Sequence, residues 1–214
     1  MKILITGSTG YLGNYLVDKY RDFYEIYTIS RKQDNLLKVK RNFVGDLADN
    51  NFVNSINLNV DYVINCAANT NHYENQIKSF KDNCKSIINL INSKNLIYKK
   101  LIHISTEAVF LSNYKISVSE KSEYPKKNLT PYSRTKKLSE YYVKKYSRKN
   151  NREYNILRTR LVWDSKKSPV FKKLNNAINK KIFFFVDKGD YFTSATHIEN
   201  LSEGIIKCIK NGVN

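Results

Sequence analysis

The chain opens on a short apolar run that leads directly into a glycine-rich loop. Lys2–Thr6 has the composition of a buried β-strand, and it is followed by Gly7-Ser8-Thr9-Gly10-Tyr11-Leu12-Gly13. Only seven glycines occur in the 214 residues, so three of them at a regular spacing are not a consequence of composition. A strand that passes through such a loop into a helix points backbone N–H groups and the positive end of the helix dipole at an anion. The loop therefore predicts a phosphate-binding turn, with a purely structural turn as the alternative.

Short apolar runs rich in β-forming residues alternate with amphipathic stretches over most of the chain. Strands separated by helices imply a parallel, doubly wound sheet, so we predict an α/β fold of the Rossmann-like type. The predicted strands are Lys2–Thr6, Glu25–Ser30, Asn42–Val44, Val60–Asn65, Leu101–Ser105 and Glu153–Leu157. The predicted helices cover residues 11–22, 76–93 and 132–149.

The glycine loop and the end of the second strand together point to a cofactor. In a strand–loop–helix context the loop is typical of dinucleotide sites, although its spacing is Gly-x-x-Gly-x-x-Gly. An acidic residue after the second strand would bind the adenosine ribose of NAD, but this chain has Ser30-Arg31-Lys32 there. A guanidinium suits a 2′-phosphate, so we expect NADP in preference to NAD. A surface Arg-Lys pair is the alternative interpretation.

Beyond Leu157 the alternating pattern loosens. We expect a helix over Pro169–Lys181, a short apolar strand over Ile182–Val186 and a helix over Thr196–Lys210. Repeats and low-complexity linkers are absent from the sequence. Residues 1–214 are therefore predicted to form a single NAD(P)-binding domain, with elements of a small, shortened substrate lobe within residues 164–195.

Three residues have the spacing of a proton-transfer site. Tyr132 and Lys136 lie four residues apart on a predicted helix, and therefore on one face of it. A nearby ammonium lowers the pKa of a phenol, which would make Tyr132 an acid and base at neutral pH. Thr106 follows strand five, at the sheet edge where α/β sites form, and its hydroxyl suits a substrate carbonyl or alkoxide. The adjacent Ser105 is a lesser candidate, and ordinary strand-end and helix-start residues are the alternative.

Together these residues resemble the extended short-chain dehydrogenase/reductase (SDR) superfamily, of the NAD-dependent epimerase/dehydratase type. The resemblance covers nearly the whole chain, and its last motifs are most similar to 3β-hydroxysteroid dehydrogenase-like members. Besides the glycine loop and the Tyr-x-x-x-Lys, the motifs are Gly45-Asp46-Leu47, Asn65-Cys66-Ala67-Ala68, Asn83, Ile104-Ser105-Thr106, Leu157–Trp163 and Thr196–Leu201.

The resemblance implies a cofactor site made of residues that are far apart in the sequence. Asp46 and Leu47 are expected near the adenine, Ala67 and Ala68 beneath the cofactor, and Asn83 near the active site. Lys136 is expected to hold the nicotinamide ribose beside Tyr132. The predicted cofactor-binding residues are Gly7, Thr9, Gly10, Tyr11, Leu12, Gly13, Arg31, Asp46, Leu47, Ala67, Ala68, Asn83, Tyr132 and Lys136.

The resemblance also implies an enzyme that interconverts an alcohol and a ketone by hydride transfer. The implied catalytic residues are Thr106, Tyr132 and Lys136. Related 4,6-dehydratases follow the catalytic threonine with Asp-Glu, whereas this chain has Glu107-Ala108, so dehydration is not expected. A sugar-nucleotide epimerase or 4-reductase is one alternative, and a non-catalytic NADP-sensing protein is another. Family members usually continue well past residue 214, so we expect a shortened form, a fragment or a weakly active relative.

Composition narrows the classes of partner. The formal net charge is +18, but the basic residues are mostly dispersed lysines, so we expect solvated surface and no nucleic-acid partner. No apolar run approaches the ~20 residues of a membrane helix, and we expect a cytoplasmic protein with a small-molecule substrate, no membrane partner and a possible homodimer. The three scattered cysteines are expected to be reduced thiols, and no metal site is expected.

Four further residues have ordinary structural interpretations, some of them beside a functional one. His103 alternates within strand five and is expected to be a hydrogen-bonded core histidine. His72 is expected in a loop that borders the cofactor pocket, as a loop residue or a substrate contact. Glu107 is expected to face substrate or to cap the next segment. Glu140 is expected to pair with lysines on its own helix.

Overall fold

The computed structural model describes residues 1–33, 38–110, 118–127, 130–164, 168–190 and 193–210. Its strands are β1 (Lys2–Thr6), β2 (Glu25–Ser30), β3 (Arg41–Val44), β4 (Leu58–Asn59), β5 (Tyr62–Asn65), β6 (Leu96–Ile97), β7 (Lys100–Thr106), β8 (Glu153–Thr159), β9 (Val162–Trp163) and β10 (Thr196–His197). Its α-helices are α1 (Tyr11–Tyr20), α2 (Asn50–Ser55), α3 (Gln76–Phe80), α4 (Ser86–Asn92), α5 (Pro131–Lys149), α6 (Pro169–Asn179) and α7 (Ile198–Lys210).

Six parallel strands form the central sheet in the order β3-β2-β1-β5-β7-β8. The order reverses between β1 and β5, which pair in parallel with Ile3 opposite Tyr62 and Thr6 opposite Asn65. This confirms the predicted Rossmann-like doubly wound sheet. Ligands of such sheets bind outside the carboxyl ends of the strands at this reversal point, so the topology places a site next to Gly7.

Two apolar cores cover the two faces of the sheet. Along β1, Leu4 faces one core and its neighbours Ile3 and Ile5 face the other, as the two-residue period of a strand requires. Helices α4 and α5 cover the first face, and α1 and α7 cover the second. Full burial of each such aliphatic side chain contributes about 1.5–3 kcal/mol, so the sheet is anchored on both sides and its carboxyl edge is held in place.

The helix predicted over residues 76–93 is interrupted by a turn of π-helix. Lys81–Lys85 form this turn between α3 and α4. A π turn inserts one extra residue into the helical repeat and often occurs at functional sites. Here it contains Asn83, which is buried.

Helix α5 begins at Pro131, one residue before the predicted start. The Thr130 side chain accepts a hydrogen bond from the Ser133 N–H at 3.1 Å, and the Ser133 hydroxyl accepts one from the Thr130 N–H at 3.2 Å. This reciprocal cap fixes the first helical turn. It therefore holds Tyr132, which lies in that turn.

The prediction of a strand over Ile182–Val186 is wrong. Residues 182–185 have no regular structure, and Val186–Gly189 form a 3-10 turn. Phe184 and Phe185 are 74% and 72% exposed. An apolar run becomes a strand only if a neighbouring strand pairs with it, and none of the strands in the described part of the chain does so.

The substrate-side elements also differ in their boundaries. Helix α7 begins at Ile198 and not at Thr196, because Thr196 and His197 pair in parallel with Val162 and Trp163. Helix α6 ends at Asn179. Residues 165–167 and 191–192 of the predicted lobe lie outside the described residues.

Candidate active site

An open groove runs along the carboxyl ends of the strands at the reversal point. It contains most of the cofactor-binding residues that the sequence predicts. The predicted residues that line it are Gly7, Thr9, Gly10, Arg31, Asp46, Leu47, Ala67 and Ala68. Ile29, Ser30, Gly45, Cys66, Asn69, Asp82 and Ser86 complete the lining.

The glycine loop folds as it does because two of its positions have no room for a side chain. Gly7 has a φ of +69°, and a Cβ there would lie 2.8 Å from the Cα and N of Ala67. A Cβ on Gly13 would overlap the carbonyl group of Gly7. The start of helix α1 is therefore packed directly on the turn after β1. This leaves the groove floor as bare backbone.

Two charged residues stand at the end of the groove next to β2 and β3. Asp46 accepts a hydrogen bond from the Ala48 N–H at 2.9 Å and lies 3.2 Å from the Lys81 ammonium. Burial opposes its ionisation, but these two donors together lower its pKa. The Arg31 side chain is 68% exposed and lies 4.0 Å from Asp82 across the groove. Its guanidinium is therefore largely accessible to a ligand in the groove, beside the Asp82 carboxylate.

The structure places Tyr11 and Leu12 outside the groove lining. Tyr11 lines a neighbouring cleft with Asp164 and Lys172, which shares Thr9 and Gly10 with the groove. Its pKa is raised, first by burial and then by the Asp164 carboxylate. Leu12 packs against the core between α1 and α7.

The loop after β5 is held by asparagine side chains. Asn83 Oδ1 accepts from the Asn69 N–H at 2.7 Å, and Asn83 Nδ2 donates to the Asn69 carbonyl at 3.1 Å and to Thr135 Oγ1 at 3.0 Å. Asn83 is thus occupied by protein partners. It acts on the groove through the position of Asn69, whose own side chain donates to Glu74 and Asp82.

Thr106 and Tyr132 lie together at the end of β7. A hydrogen bond between their side chains favours the phenolate, but burial outweighs it and raises the pKa of Tyr132 to about 12. The Thr106 hydroxyl also accepts from the Ala108 N–H at 3.2 Å and donates to Glu107 at 3.3 Å. At neutral pH Tyr132 is therefore a protonated phenol.

Lys136 is buried, and its ammonium contacts groups of β7. Its ammonium donates to the Ile104 carbonyl at 2.7 Å and lies 3.4 Å from His103 Nε2. Burial lowers the pKa of Lys136 to about 8, against the opposing effect of Glu140. The pKa of Tyr132 is raised and not lowered, so the predicted effect of this ammonium is wrong for this arrangement. The reason is that burial of the phenol dominates.

A buried polar network around His103 adjoins Lys136. Asn65 Oδ1 accepts from the Thr6 hydroxyl, so Asn65 Nδ2 donates to His103 Nδ1 at 3.0 Å. Neutral His103 then carries its proton on Nε2 and donates to Ser139 Oγ at 3.0 Å. Burial and the Lys136 charge hold the pKa of His103 well below its ordinary value. His103 is thus the hydrogen-bonded core histidine that its alternation predicts.

Glu140 has a role that the sequence prediction misses. It is fully buried, and Arg158 from β8 donates to its two oxygens at 3.0 and 2.7 Å. The hydroxyls of Ser105 and Tyr124 donate to the same carboxylate. The expected pairing with lysines on its own helix is therefore wrong, because this face of α5 packs on the sheet and not in solvent. The sequence offers one signal, a carboxylate four residues after Lys136 on the same helix face.

Two further groups surround Tyr132. The half-buried ring of His72 contacts the Tyr132 ring, with their centroids 4.7 Å apart. Glu107 forms an ion pair with Arg160 at 3.0 Å. Burial raises the pKa of Glu107, against the opposing charge of Arg160.

Comparisons with known proteins identify a protein family over nearly the whole chain. The model of the NAD dependent epimerase/dehydratase family matches residues 3–208. The chain belongs to this family. The relatives of this chain are extended SDR proteins, as the sequence motifs predicted.

Two curated relatives of this epimerase/dehydratase member are similar in sequence. A 4-hydroxy-2-methyl-3-oxo-4-farnesyl-3,4-dihydroquinoline-1-oxide ketoreductase of Stigmatella aurantiaca is 24% identical over 99% of the chain and 65% of its own length. A decarboxylating sterol-4-alpha-carboxylate 3-dehydrogenase of Dictyostelium discoideum is 26% identical over 99% of the chain and 68% of its own length. The chain therefore spans about two thirds of these relatives.

A solved structure with the same fold is the UDP-glucuronic acid 4-epimerase of Bacillus cereus in complex with NAD. It has a TM-score of 0.84 and 22% identity, over 98% of this chain and 73% of the epimerase. In the described part of this chain, no helix is long and apolar enough to cross a membrane. Among the same residues, no group of three or more His, Cys, Asp or Glu side chains is placed to hold a metal ion.

Proposed function

We propose that this protein is an NAD(P)-dependent oxidoreductase that interconverts an alcohol and a ketone. The observation that supports this most is the protonated Tyr132 phenol hydrogen-bonded with the Thr106 hydroxyl, in a protein whose glycine loop lines an open groove. Its relatives include a ketoreductase and a sterol dehydrogenase, which fits this chemistry.

The groove fits a nicotinamide dinucleotide. Its floor at Gly7 and Ala67 is backbone that a Cβ would obstruct, and backbone N–H groups at the start of α1 suit a pyrophosphate. Asp46 is held as an anion at the adenine end. The exposed Arg31 guanidinium supports a preference for NADP, because it is suited to pair with a 2′-phosphate.

The protein's own groups supply the proton. A reduced nicotinamide dinucleotide, held by the groove residues, would supply the hydride for the carbonyl carbon and would itself be oxidised. The Tyr132 O–H is protonated at neutral pH and donates its proton to the carbonyl oxygen, and the Thr106 hydroxyl orients that oxygen. We assign Lys136, whose ammonium donates to the Ile104 carbonyl, to the ribose of the cofactor, as the family resemblance implies.

A sugar-nucleotide epimerase or 4-reductase is the second candidate. It is supported by the similarity to a putative UDP-glucose 4-epimerase of Methanocaldococcus jannaschii, 30% identical over 78% of the chain and 58% of that protein. Dehydration is not supported, because Ala108 occupies the position where a second carboxylate would be needed.

The first test is replacement of Tyr132 by phenylalanine. We expect carbonyl reduction with NADPH, measured over a panel of ketones and UDP-sugars, to fall about 10²–10⁴-fold because the proton donor is lost. Dinucleotide binding, read by nicotinamide fluorescence, should be retained. Equal activity of Tyr132→Phe and wild type would reject the assignment. Dinucleotide binding without turnover of any compound would favour a sensing protein.

The cofactor preference is tested by Arg31→Gln, with Lys32→Gln as the neighbouring control. Loss of a charge-assisted hydrogen bond of about 1.5–3 kcal/mol should weaken NADPH binding about tenfold or more and leave NADH binding unchanged. Lys32→Gln should change neither, since Arg31 lines the groove and Lys32 does not. Equal weakening of NADPH and NADH by Arg31→Gln would refute a 2′-phosphate contact.

A further inference from the structure

A second, wide cleft adjoins the cofactor groove and shares four lining residues with it. The shared residues are Arg31, Ala68, Asn69 and Asp82. The residues that line only this cleft are the loop from Thr70 to Glu74, Lys78 of helix α3 and Lys173 of helix α6. A molecule in this cleft would therefore lie beside a bound dinucleotide.

His72 connects this cleft to the proposed proton donor. Its ring lines the cleft and at the same time contacts the Tyr132 ring, with a centroid distance of 4.7 Å. A group bound at His72 would thus lie one aromatic ring away from the Tyr132 phenol. That separation suits two parts of a single small substrate.

The charges of the cleft leave one cation without a carboxylate partner. Glu74 pairs with Lys78 at 2.7 Å, and Asp82 lies 4.0 Å from Arg31. Within the described ranges no carboxylate lies within ion-pair distance of Lys173. The Lys173 charge is nevertheless felt at His72, where burial and then this ammonium lower the imidazole pKa.

The loop that carries His72 is shaped before any ligand arrives. Asn69 Oδ1 accepts from the Asn71 N–H at 3.1 Å, and Asn71 Oδ1 accepts from the Tyr73 N–H at 3.0 Å. Asn83 clamps the backbone of Asn69. A neutral imidazole on such a loop offers a fixed N–H donor opposite a cation.

We propose that His72 and Lys173 form a subsite that binds an anionic oxygen group of the substrate and so places its carbonyl at Tyr132. This subsite deepens the proposed function and rests on it, because Tyr132 is taken there as the proton donor. It assigns the substrate to the class of carbonyl or alcohol compounds that also carry a phosphoryl or carboxylate group.

The test uses the fact that the chain has only three histidines. Their ring signals are followed by NMR against pH, and His72→Gln assigns the His72 signal. Inorganic phosphate and acetate are added separately, each compared with chloride at equal ionic strength. An anion bound within ~4–6 Å favours the imidazolium, so the pKa of His72 should rise by about one pH unit, while buried His103 should not respond.

Matched lysine variants decide whether the subsite is responsible. Lys173→Gln should abolish the response to added anion. Lys172→Gln should keep it, because Lys172 lines the neighbouring cleft with Tyr11 and Asp164. A response to phosphate alone would assign a phosphoryl group, and a response to both anions a carboxylate as well. Absence of a response in wild type, or an equal response in Lys173→Gln, would overturn the proposal.

The same titration is run without and with saturating NADP. A protein that binds no dinucleotide but keeps the His72 response would reject the proposed function and retain an anion site. Dinucleotide binding without a His72 response to either anion would reject the subsite and leave the oxidoreductase intact.

Discussion

Lys136 makes the stability of this protein depend on pH in a direction that can be calculated. Its side chain is 2% exposed, and burial lowers its pKa from 10.5 to about 8. The difference is 10.5 − 8, or 2.5 pH units, and each unit is worth ~1.36 kcal/mol. The charged form is therefore disfavoured in the folded protein by about 3 kcal/mol.

The sign follows from proton counts. Between pH 8 and 10.5 the unfolded chain keeps a proton on this lysine that the folded protein has released. Unfolding then binds a proton, so the free energy of unfolding rises with pH across this window. Below pH 8 both states are protonated and the penalty is fully present.

The change that isolates this effect is Lys136→Met. The methionine variant has no charge to bury, although it leaves the Ile104 carbonyl without its donor. That loss does not depend on pH. The difference in unfolding free energy, wild type minus variant, should therefore rise by about 3 kcal/mol from pH 7 to 10.5.

Urea unfolding at pH 7, 8, 9, 10 and 10.5 measures this difference. Lys145→Met, on the exposed part of the same helix, is the control for which the difference should stay flat. A flat difference for Lys136→Met would show that the ammonium is solvated. The burial of the Lys136 ammonium in the folded protein would then be wrong.

Two further predictions concern the packing at Gly13 and the buried ion pair of Glu140. A Cβ at Gly13 overlaps the Gly7 carbonyl, so Gly13→Ala should lower the free energy of unfolding by about 1–3 kcal/mol. Gly204→Ala has no atom within 4 Å of its new Cβ and should raise the free energy of unfolding by up to about 1 kcal/mol. Urea unfolding that ranks the two variants the other way would contradict the loop geometry. Glu140→Gln leaves the Arg158 charge without its buried partner and should cost about 3–5 kcal/mol, while Glu199→Gln removes an exposed ion pair worth at most about 1 kcal/mol. Similar losses for the two glutamates would mean that Glu140 is not buried as described.

The sequence by itself determined the features that depend on local chemistry. The strands Lys2–Thr6 and Glu25–Ser30 have the predicted bounds, because a short β-rich run next to a glycine turn has few other conformations. The Gly7 turn follows from the same logic, since its φ of +69° is costly for other residues. The doubly wound fold followed from the alternation of strands and helices.

Only the tertiary structure decided which polar groups meet. Arg158 reaches Glu140 because β8 lies beside β7 under helix α5, and no spacing along the chain encodes that contact. His72 reaches Tyr132 through the fold of its loop. The protonation of Tyr132 and Lys136 was likewise decided by burial, because desolvation depends on everything packed around a group and a sequence motif contains only its neighbours along the chain.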